Sequence, residues 1–174
     1  FENARSVQAR VVFAEGEEEK TIRAAALWRD QGLGTAILVG REDRILERME
    51  SLGVSAAGLE IANAKEVGDR DRYVQAVYSR MQRKGALLRD CQRWINLDRN
   101  VFAAAMLAAG DADAMVTGLT RSYAGAVNNV RRVLDAKPGE IVCGMSILVS
   151  GHQMLFVADS TINEDPTAEQ LADI

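Results

Sequence analysis

The most informative pattern of apolar and polar positions lies in residues 110–134, GDADAMVTGLTRSYAGAVNNVRRVL. Residues 112–116 form a short, mostly apolar run, which is typical of a strand buried on both faces. A polar turn follows at 117–122, and from Tyr123 onward the apolar positions repeat with a helical period. This segment therefore predicts a strand, a polar turn and a helix.

The polar turn is the first candidate for a binding site. In a parallel α/β sheet such a turn lies at the carboxyl edge, where these folds bind ligands. Free N–H groups at the start of the helix favour an anion, and Arg121 can bind a phosphate or carboxylate with two hydrogen bonds. Alternatively, Ser122 or Thr120 caps the helix and Arg121 is solvated. Both interpretations stay open for the candidate ligand contacts Thr117, Gly118, Thr120, Arg121 and Ser122.

Strands and helices alternate along the chain up to Pro138, after a mixed lead-in at residues 1–10. Apolar runs predict strands at 11–14, 35–40 and 59–62. Helical periods predict helices at 17–31, 45–52, 69–84 and 96–109. This alternation predicts an α/β fold, with three αβα layers around a mainly parallel sheet.

The pattern changes after the break at residues 137–139 (KPG). Two strand candidates, 141–149 and 154–158, are joined by a turn and predict a hairpin. Asp165 and Pro166 are predicted to begin a last helix as its cap and first residue. We therefore assign residues 1–138 to a first αβα subdomain and 139–174 to the start of a second.

Other candidate side chains have simple structural interpretations. The acidic run 17–19 is predicted to lie in the first turn of a helix, where it complements the helix dipole. A metal site there is poorly supported, because no histidine is nearby and consecutive carboxylates point in different directions. His152, the only histidine, is interpreted as a solvated turn residue. Tyr78 and Trp94 are interpreted as core or interface residues, since no basic stripe lies beside them.

Composition narrows the class of protein. The 174 residues, 48% of them hydrophobic, suit one domain or one domain and part of another. A net charge of −4 and a pI near 5.1 argue against nucleic-acid and membrane partners, and we find no spanning run or signal peptide. Cys91 and Cys143 are interpreted as reduced thiols, which favours the cytoplasm. Because the chain opens at Phe1 and stops at Ile174 inside a predicted helix, we expect a piece of a longer protein.

Taken in order, four segments resemble the phosphate acetyltransferase/butyryltransferase family. They are VVFAEGEEEKTIRAA, TAILVG, GDADAMVTGLTRSYAGAVNNVRRVL and LFVADSTINEDPTAEQLADI. Transferases of this family usually carry a Ser-Gly-Ala and His-Thr-Thr type of turn, whereas this chain has TGLTRSY at 117–123. That version resembles the phosphotransacetylase-like C-terminal domain of bacterial hybrid malic enzymes.

The resemblance implies two αβα subdomains with a cleft between them, acetyl-CoA or a related CoA ester as ligand, and a homodimer or larger homo-oligomer. It also implies that the domain senses acetyl-CoA and modulates the oxidative decarboxylation of malate to pyruvate by the whole protein. The family's catalytic Ser-Arg segment is absent from these 174 residues, so we assign no catalytic residue. No metal site and no cofactor are expected in this segment. NADP and a divalent metal belong to the malic enzyme domain that the resemblance implies.

Three functions therefore compete. The first is the regulatory domain of an NADP-dependent malic enzyme, which the turn at 117–123 favours. The second is part of a catalytic phosphate acetyltransferase that moves acetyl between CoA and phosphate. The third is a non-catalytic oligomerisation module, which would show no measurable binding of CoA esters.

Overall fold

A four-stranded parallel sheet organises the first part of the chain in the computed structural model, which describes residues 2–174. Its strands are β1 (Val11–Phe13), β2 (Ala36–Val39), β3 (Leu59–Ala62) and β4 (Ala114–Val116). They lie in the order β3-β2-β1-β4, and all three pairings are parallel. Val12 at the centre of β1 lies opposite Ile37 of β2 and Met115 of β4. The predicted mainly parallel sheet is confirmed.

Helices cover both faces of this sheet. They are α1 (Glu2–Val7), α2 (Glu19–Asp30), α3 (Glu42–Leu52), α4 (Arg70–Met81), α5 (Leu88–Leu97), α6 (Arg99–Ala108) and α7 (Tyr123–Arg131). Because successive side chains of a strand point to opposite faces, Val12 packs in one apolar cluster with residues of α4, α5 and α6. Val11 and Phe13 pack in a second cluster with residues of α2 and α3. This arrangement confirms the predicted three-layer αβα architecture.

Several helices differ from the prediction. Residues 2–7 of the lead-in form α1; Phe1 lies outside the described residues. The single helix predicted at 96–109 is two helices, because Asp98 ends α5 and its carboxylate caps α6 by accepting from the N–H groups of Asn100 and Val101. The helix predicted at 69–84 ends at Met81 and continues as a 3₁₀ turn, Gln82–Lys84.

The prediction that residues 112–116 form a strand buried on both faces was also wrong. The strand itself is present as β4, but its burial is partial, and the Val116 side chain is 48% exposed. The reason is that β4 pairs with β1 alone and forms one edge of the sheet. Buried strands in this sheet are the central ones, β1 and β2.

The chain separates into two compact units, the second of which runs from Asp135 to Ile174. This boundary lies four residues before the predicted one at 138/139. The second unit contains an antiparallel hairpin and a short helix. These are β5 (Met145–Ser150), β6 (Gln153–Ala158) and α8 (Ala168–Asp173). The hairpin prediction is confirmed, whereas the assignment of this unit to a second αβα subdomain stays a prediction.

Side-chain hydrogen bonds to backbone N–H groups define the start of α8 and the loop after β6 in the second unit. The last helix begins after Thr167, whose side chain and that of Gln170 form a reciprocal capping box. The predicted start at Asp165 and Pro166 was therefore wrong. The Asp159 carboxylate accepts hydrogen bonds from the N–H groups of Thr161 and Ile162, which lower its pKa to about 2.

The hairpin of the second unit exposes apolar side chains on both of its faces. Ile147 and Phe156 face each other across the two strands and are each 56% exposed. Leu148 and Leu155, on the opposite face, are 54% and 59% exposed. His152 lies exposed in the turn, as predicted.

Both cysteines are free thiols, as predicted, with Cys91 buried and Cys143 exposed. Burial raises the pKa of the Cys91 thiol, which therefore stays protonated at neutral pH. Among residues 2–174 no helix has the length and apolar character that a membrane-spanning segment requires.

The packing of α6 gives a first test of the fold. Phe102 is fully buried, and its ring lies edge-on to Tyr73 with 5.4 Å between the ring centroids. We expect Phe102→Ala to lower the free energy of unfolding by about 3–5 kcal/mol, because it leaves a cavity in the core. Urea denaturation followed by tryptophan fluorescence measures this loss, since Trp28 and Trp94 both belong to the first unit. The control Leu27→Ala, at a 57% exposed side chain, should cost no more than about 0.5 kcal/mol. Equal losses would contradict the described packing.

Candidate functional site

A carboxylate of the chain itself occupies the donors of the polar turn. Glu15 follows β1 by two residues and lies next to the turn that follows β4, because the two strands are neighbours. Its carboxylate accepts hydrogen bonds from the N–H groups of Gly118 (3.1 Å), Leu119 (2.6 Å) and Thr120 (2.8 Å), and from the Thr120 hydroxyl. The turn is therefore an anion-binding loop whose anion comes from the protein.

Glu15 is ionised in this position. The residue is only 5% exposed, and burial alone would raise the pKa of its carboxyl group. The hydrogen bonds from the Thr120 hydroxyl and the N–H groups of the turn outweigh this effect and lower the pKa below its ordinary value of 4.5. The free energy of folding and the charge of Glu15 are therefore coupled.

The remaining predicted site residues also have partners within the chain. The Thr117 hydroxyl donates to Oδ1 of Asn100 at 2.7 Å. Ser122 is the N-cap of α7, where its hydroxyl accepts from the N–H group of Gly125 at 3.3 Å. Arg121 is 51% exposed, with its Nη2 3.5 Å from the Asp98 carboxylate. The capping alternative is therefore confirmed for Ser122, while the Arg121 side chain is half exposed.

A second carboxylate, Glu17, binds cations at the same edge of the sheet. It accepts from the backbone N–H of Arg41 at 3.0 Å and lies 2.7 Å from Nη2 of Arg99. Burial opposes its charge, but the hydrogen bonds from Arg41 and the charge of Arg99 outweigh burial and lower the pKa of Glu17. The predicted role of residues 17–19 was therefore wrong in part, because α2 begins at Glu19 and Glu17 bridges loops instead of capping the helix.

Two cavities lie side by side at the carboxyl edge. The turn cavity, of about 210 Å³, is lined by Glu15, Leu97, Arg99, Asn100, Thr120 and Arg121. The second, of about 250 Å³, lies at the ends of β2 and β3, and we call it the β2–β3 cavity. Leu97 and Arg99 line both of them.

The structure brings only part of the predicted site to one cavity. Thr120 and Arg121 line the turn cavity, whereas Thr117, Gly118 and Ser122 lie outside its lining. Asn100, which the sequence analysis missed, is 2% exposed and lines this cavity, and its Nδ2 has no acceptor among the described residues. Across residues 2–174, no cluster of three or more His, Cys, Asp or Glu side chains is arranged to hold a metal ion.

Residues 1–174 match the family described as phosphate acetyl/butaryl transferase. The NADP-dependent malic enzyme of Rhizobium meliloti (strain 1021) is 49% identical over 99% of this chain and 23% of its own length. The phosphate acetyltransferase of Salmonella typhimurium (strain LT2) is 32% identical over 99% of this chain and 24% of its own. This chain therefore spans about a quarter of the length of these curated relatives.

A solved structure supports the same fold. The crystal structure of a phosphotransacetylase from Streptococcus pyogenes matches with a TM-score of 0.84 and 29% sequence identity. The match covers 99% of this chain and 54% of that one. The fold inferred from the alternation of strands and helices is therefore shared with this enzyme.

Removal of the Glu15 charge tests the anion-binding loop. We expect Glu15→Gln to lower the free energy of unfolding by about 1–3 kcal/mol at pH 7, because the N–H groups of residues 118–120 lose a charged acceptor. Since the folded pKa is lowered, this stability is present above the unfolded value of 4.5 and is lost as the pH falls through the folded pKa. Urea denaturation between pH 7 and pH 3 measures the difference between the two proteins. A difference that does not shrink on acidification would contradict the role assigned to the charge.

Proposed function

This chain belongs to the phosphate acetyl/butaryl transferase family, and we propose that it is the acetyl-CoA-sensing regulatory domain of a malic enzyme. The whole protein would decarboxylate malate oxidatively to pyruvate in the cytoplasm. NADP and a divalent metal would bind in another domain of that protein, which would assemble as a homodimer or larger homo-oligomer. The similarity to the malic enzyme of Rhizobium meliloti supports this choice of parent protein.

The observation that carries the proposal is the occupation of the turn by Glu15. Acyl transfer needs hydrogen-bond donors or cations that are free to stabilise the oxyanion of the transition state, and backbone N–H groups are a common choice. In this chain the N–H groups of residues 118–120 already donate to Glu15, so they are not available for that purpose. A turn with its own carboxylate suits a domain that binds a ligand without transferring its acyl group.

The ligand contacts then differ in role. Arg121, whose side chain is half exposed, would pair with an anionic group of acetyl-CoA. Thr120 would line the ligand cavity together with Asn100. Thr117, Gly118 and Ser122 would hold the shape of the turn through their hydrogen bonds within the chain.

A catalytic phosphate acetyltransferase is the second candidate. The 32% identity to the Salmonella typhimurium phosphate acetyltransferase over nearly the whole chain favours it. A transferase needs no metal in this chemistry, but it must hold the thiol of CoA and the acyl phosphate in line. Thiol consumption by the intact protein, supplied with acetyl phosphate and CoA, separates the two functions. Turnover would favour the transferase, and its absence in a protein that binds acetyl-CoA would favour the sensor.

We expect Arg121→Ala to weaken the response to acetyl-CoA. In the intact protein that carries this chain, the acetyl-CoA concentration that gives half of the maximal change in malate decarboxylation should rise about tenfold or more, because a charge-assisted hydrogen bond is lost. Arg23→Ala is the matched control, since Arg23 is similarly exposed (56%) and is paired with Glu19 elsewhere on the surface. It should leave this concentration unchanged.

Two results would overturn the proposal. One is an unchanged response in Arg121→Ala, which would remove the turn from the ligand site. The other is a wild-type protein whose decarboxylation of malate does not respond to acetyl-CoA at any concentration. Loss of folding does not complicate the comparison, because an exposed ion pair such as Arg121–Asp98 contributes only about 0–1 kcal/mol to stability.

A further inference from the structure

Positive charge is concentrated on one part of the first unit, although the net charge of the chain is −4. Residues 80–93 and 131–132 contain seven of the 21 Lys and Arg residues and only one acidic residue. None of these seven lines the turn cavity or the β2–β3 cavity. The charge therefore belongs to a surface that the proposed contacts with acetyl-CoA do not use.

Two contacts bring these segments together in space. Nη2 of Arg80, in the last turn of α4, donates to the carbonyl oxygen of Arg131 at 3.4 Å. The guanidinium of Arg132, at the end of α7, lies 4.8 Å from the centre of the Trp94 ring of α5. The ends of α4 and α7 therefore adjoin α5, and we call the cationic surface that they form the basic face. It comprises Arg83, Lys84, Arg89, Arg93, Arg131 and Arg132.

Most cations of the basic face are accessible and unpaired. Arg83, Lys84, Arg89 and Arg131 are exposed, and none of them forms an ion pair within residues 2–174. Three of these four lie at the carboxyl end of a helix or 3₁₀ turn, where a cation complements the helix dipole. Helix stability alone therefore accounts for three of them, but not for Arg89.

The start of α5 breaks three local rules of helix stability. Arg89 is its second residue, where the dipole favours an anion. Arg93 lies one turn further along the same side of the helix, so that the two charges repel each other. Leu87 occupies the N-cap position, which polar residues favour, and is 50% exposed. Such conflicts with local stability are typical of surfaces that serve binding.

A groove beside the cations gives the basic face an apolar part. Leu87 lies in the lining of this groove, and the neighbouring Leu88 is 38% exposed. A surface that combines accessible leucines with arginines suits a polypeptide with apolar and acidic side chains. Nucleic acid is disfavoured, because its binding depends on phosphate contacts and the chain as a whole is acidic. The groove, of about 490 Å³, is lined by Tyr78, Gln82, Arg83, Gly85, Ala86 and Leu87.

The chain itself contains a segment of the complementary chemistry. Residues 164–173, EDPTAEQLAD, hold four acidic residues and no basic one. All four carboxylates belong to exposed residues that form no ion pair within the described part of the chain. Glu169 and Asp173 lie one turn apart on α8, and Leu171 between them is 60% exposed. We call residues 164–173 the acidic segment.

We propose that the basic face of one copy binds the acidic segment of a second copy. The arginines of α5 pair with carboxylates of the acidic segment, and Leu171 packs against the exposed leucines beside the groove. Because each copy carries both surfaces, two copies related by a twofold axis make this contact twice. The inference rests on the homo-oligomer of the proposed function and assigns a surface to it.

Sedimentation velocity of the intact protein tests the contact. We expect the double variant Arg89→Glu/Arg93→Glu to raise the concentration at which half of the copies dissociate about tenfold or more, because like charges then face each other. Added NaCl should weaken association of the wild type in the same direction. The matched control is Arg44→Glu/Arg48→Glu, which makes the same change at two exposed arginines one turn apart on α3. It should associate like the wild type.

A charge exchange identifies the partner surface. Glu169→Arg/Asp173→Arg alone should also impair association, since the segment then repels the basic face. An equimolar mixture of this variant with Arg89→Glu/Arg93→Glu should associate again, because both contacts of the mixed pair unite opposite charges. A contact within a single copy would not be restored by mixing. Far-UV circular dichroism should show the same helix content in all variants, as every substituted side chain is exposed.

Three results would overturn this proposal: association of Arg89→Glu/Arg93→Glu equal to that of the wild type, equal losses in this variant and in the α3 control, or no restored association in the mixture. Binding of polyuridylic acid through Arg89 and Arg93 with unchanged association would instead identify a nucleic-acid surface and overturn it as well. A wild type that stays monomeric at every concentration would remove the proposed homo-oligomer together with this contact. A wild type that associates independently of Arg89 and Arg93 would remove this contact alone.

Discussion

The hydrogen bonds accepted by Glu15 are the interaction on which the carboxyl edge of the sheet depends. One carboxylate after β1 satisfies donors of a turn that lies 103 to 105 residues further along the chain. Without it these donors would be left without acceptors in a partly buried place, at a cost in free energy. This contact holds the backbone of residues 118–120, which lie just before Arg121 and the N-cap of α7.

Two carboxylates, Glu15 and Glu17, make different contacts at the carboxyl edge of the sheet. Glu15 accepts hydrogen bonds from N–H groups of the turn after β4. Glu17 accepts a hydrogen bond from the N–H of Arg41 after β2 and forms an ion pair with Arg99. Arg99 stands between the two cavities and lines both. Any ligand that changes the pairing of Arg99 with Glu17 therefore alters the charge that the neighbouring cavity presents, since ion pairs in partly buried sites are poorly screened.

Local patterns predicted the elements well, but not the contacts between distant segments. The alternation of apolar runs and helical periods was sufficient for the parallel sheet and its covering helices. The partner of Glu15 could not be predicted, because it depends on β1 and β4 being neighbours in the sheet. For the same reason the exposure of Val116 was missed, since edge position is a property of strand order. The break between α5 and α6 could have been predicted, because Asp98 is a residue type that is favoured at the N-cap of a helix.

The exposed hairpin of the second unit affects how readily this polypeptide aggregates. Its two strands form a separate sheet, so within the described residues each strand has one edge of backbone N–H and C=O groups without a strand partner. Both faces also expose large apolar side chains, among them Ile147, Leu148, Leu155 and Phe156. Unprotected edges that are flanked by apolar surface are templates for intermolecular β-pairing. Produced as an isolated fragment, residues 135–174 would be an aggregation-prone peptide, and proteolysis near Asp135 would convert part of a folded protein into a seed for precipitation.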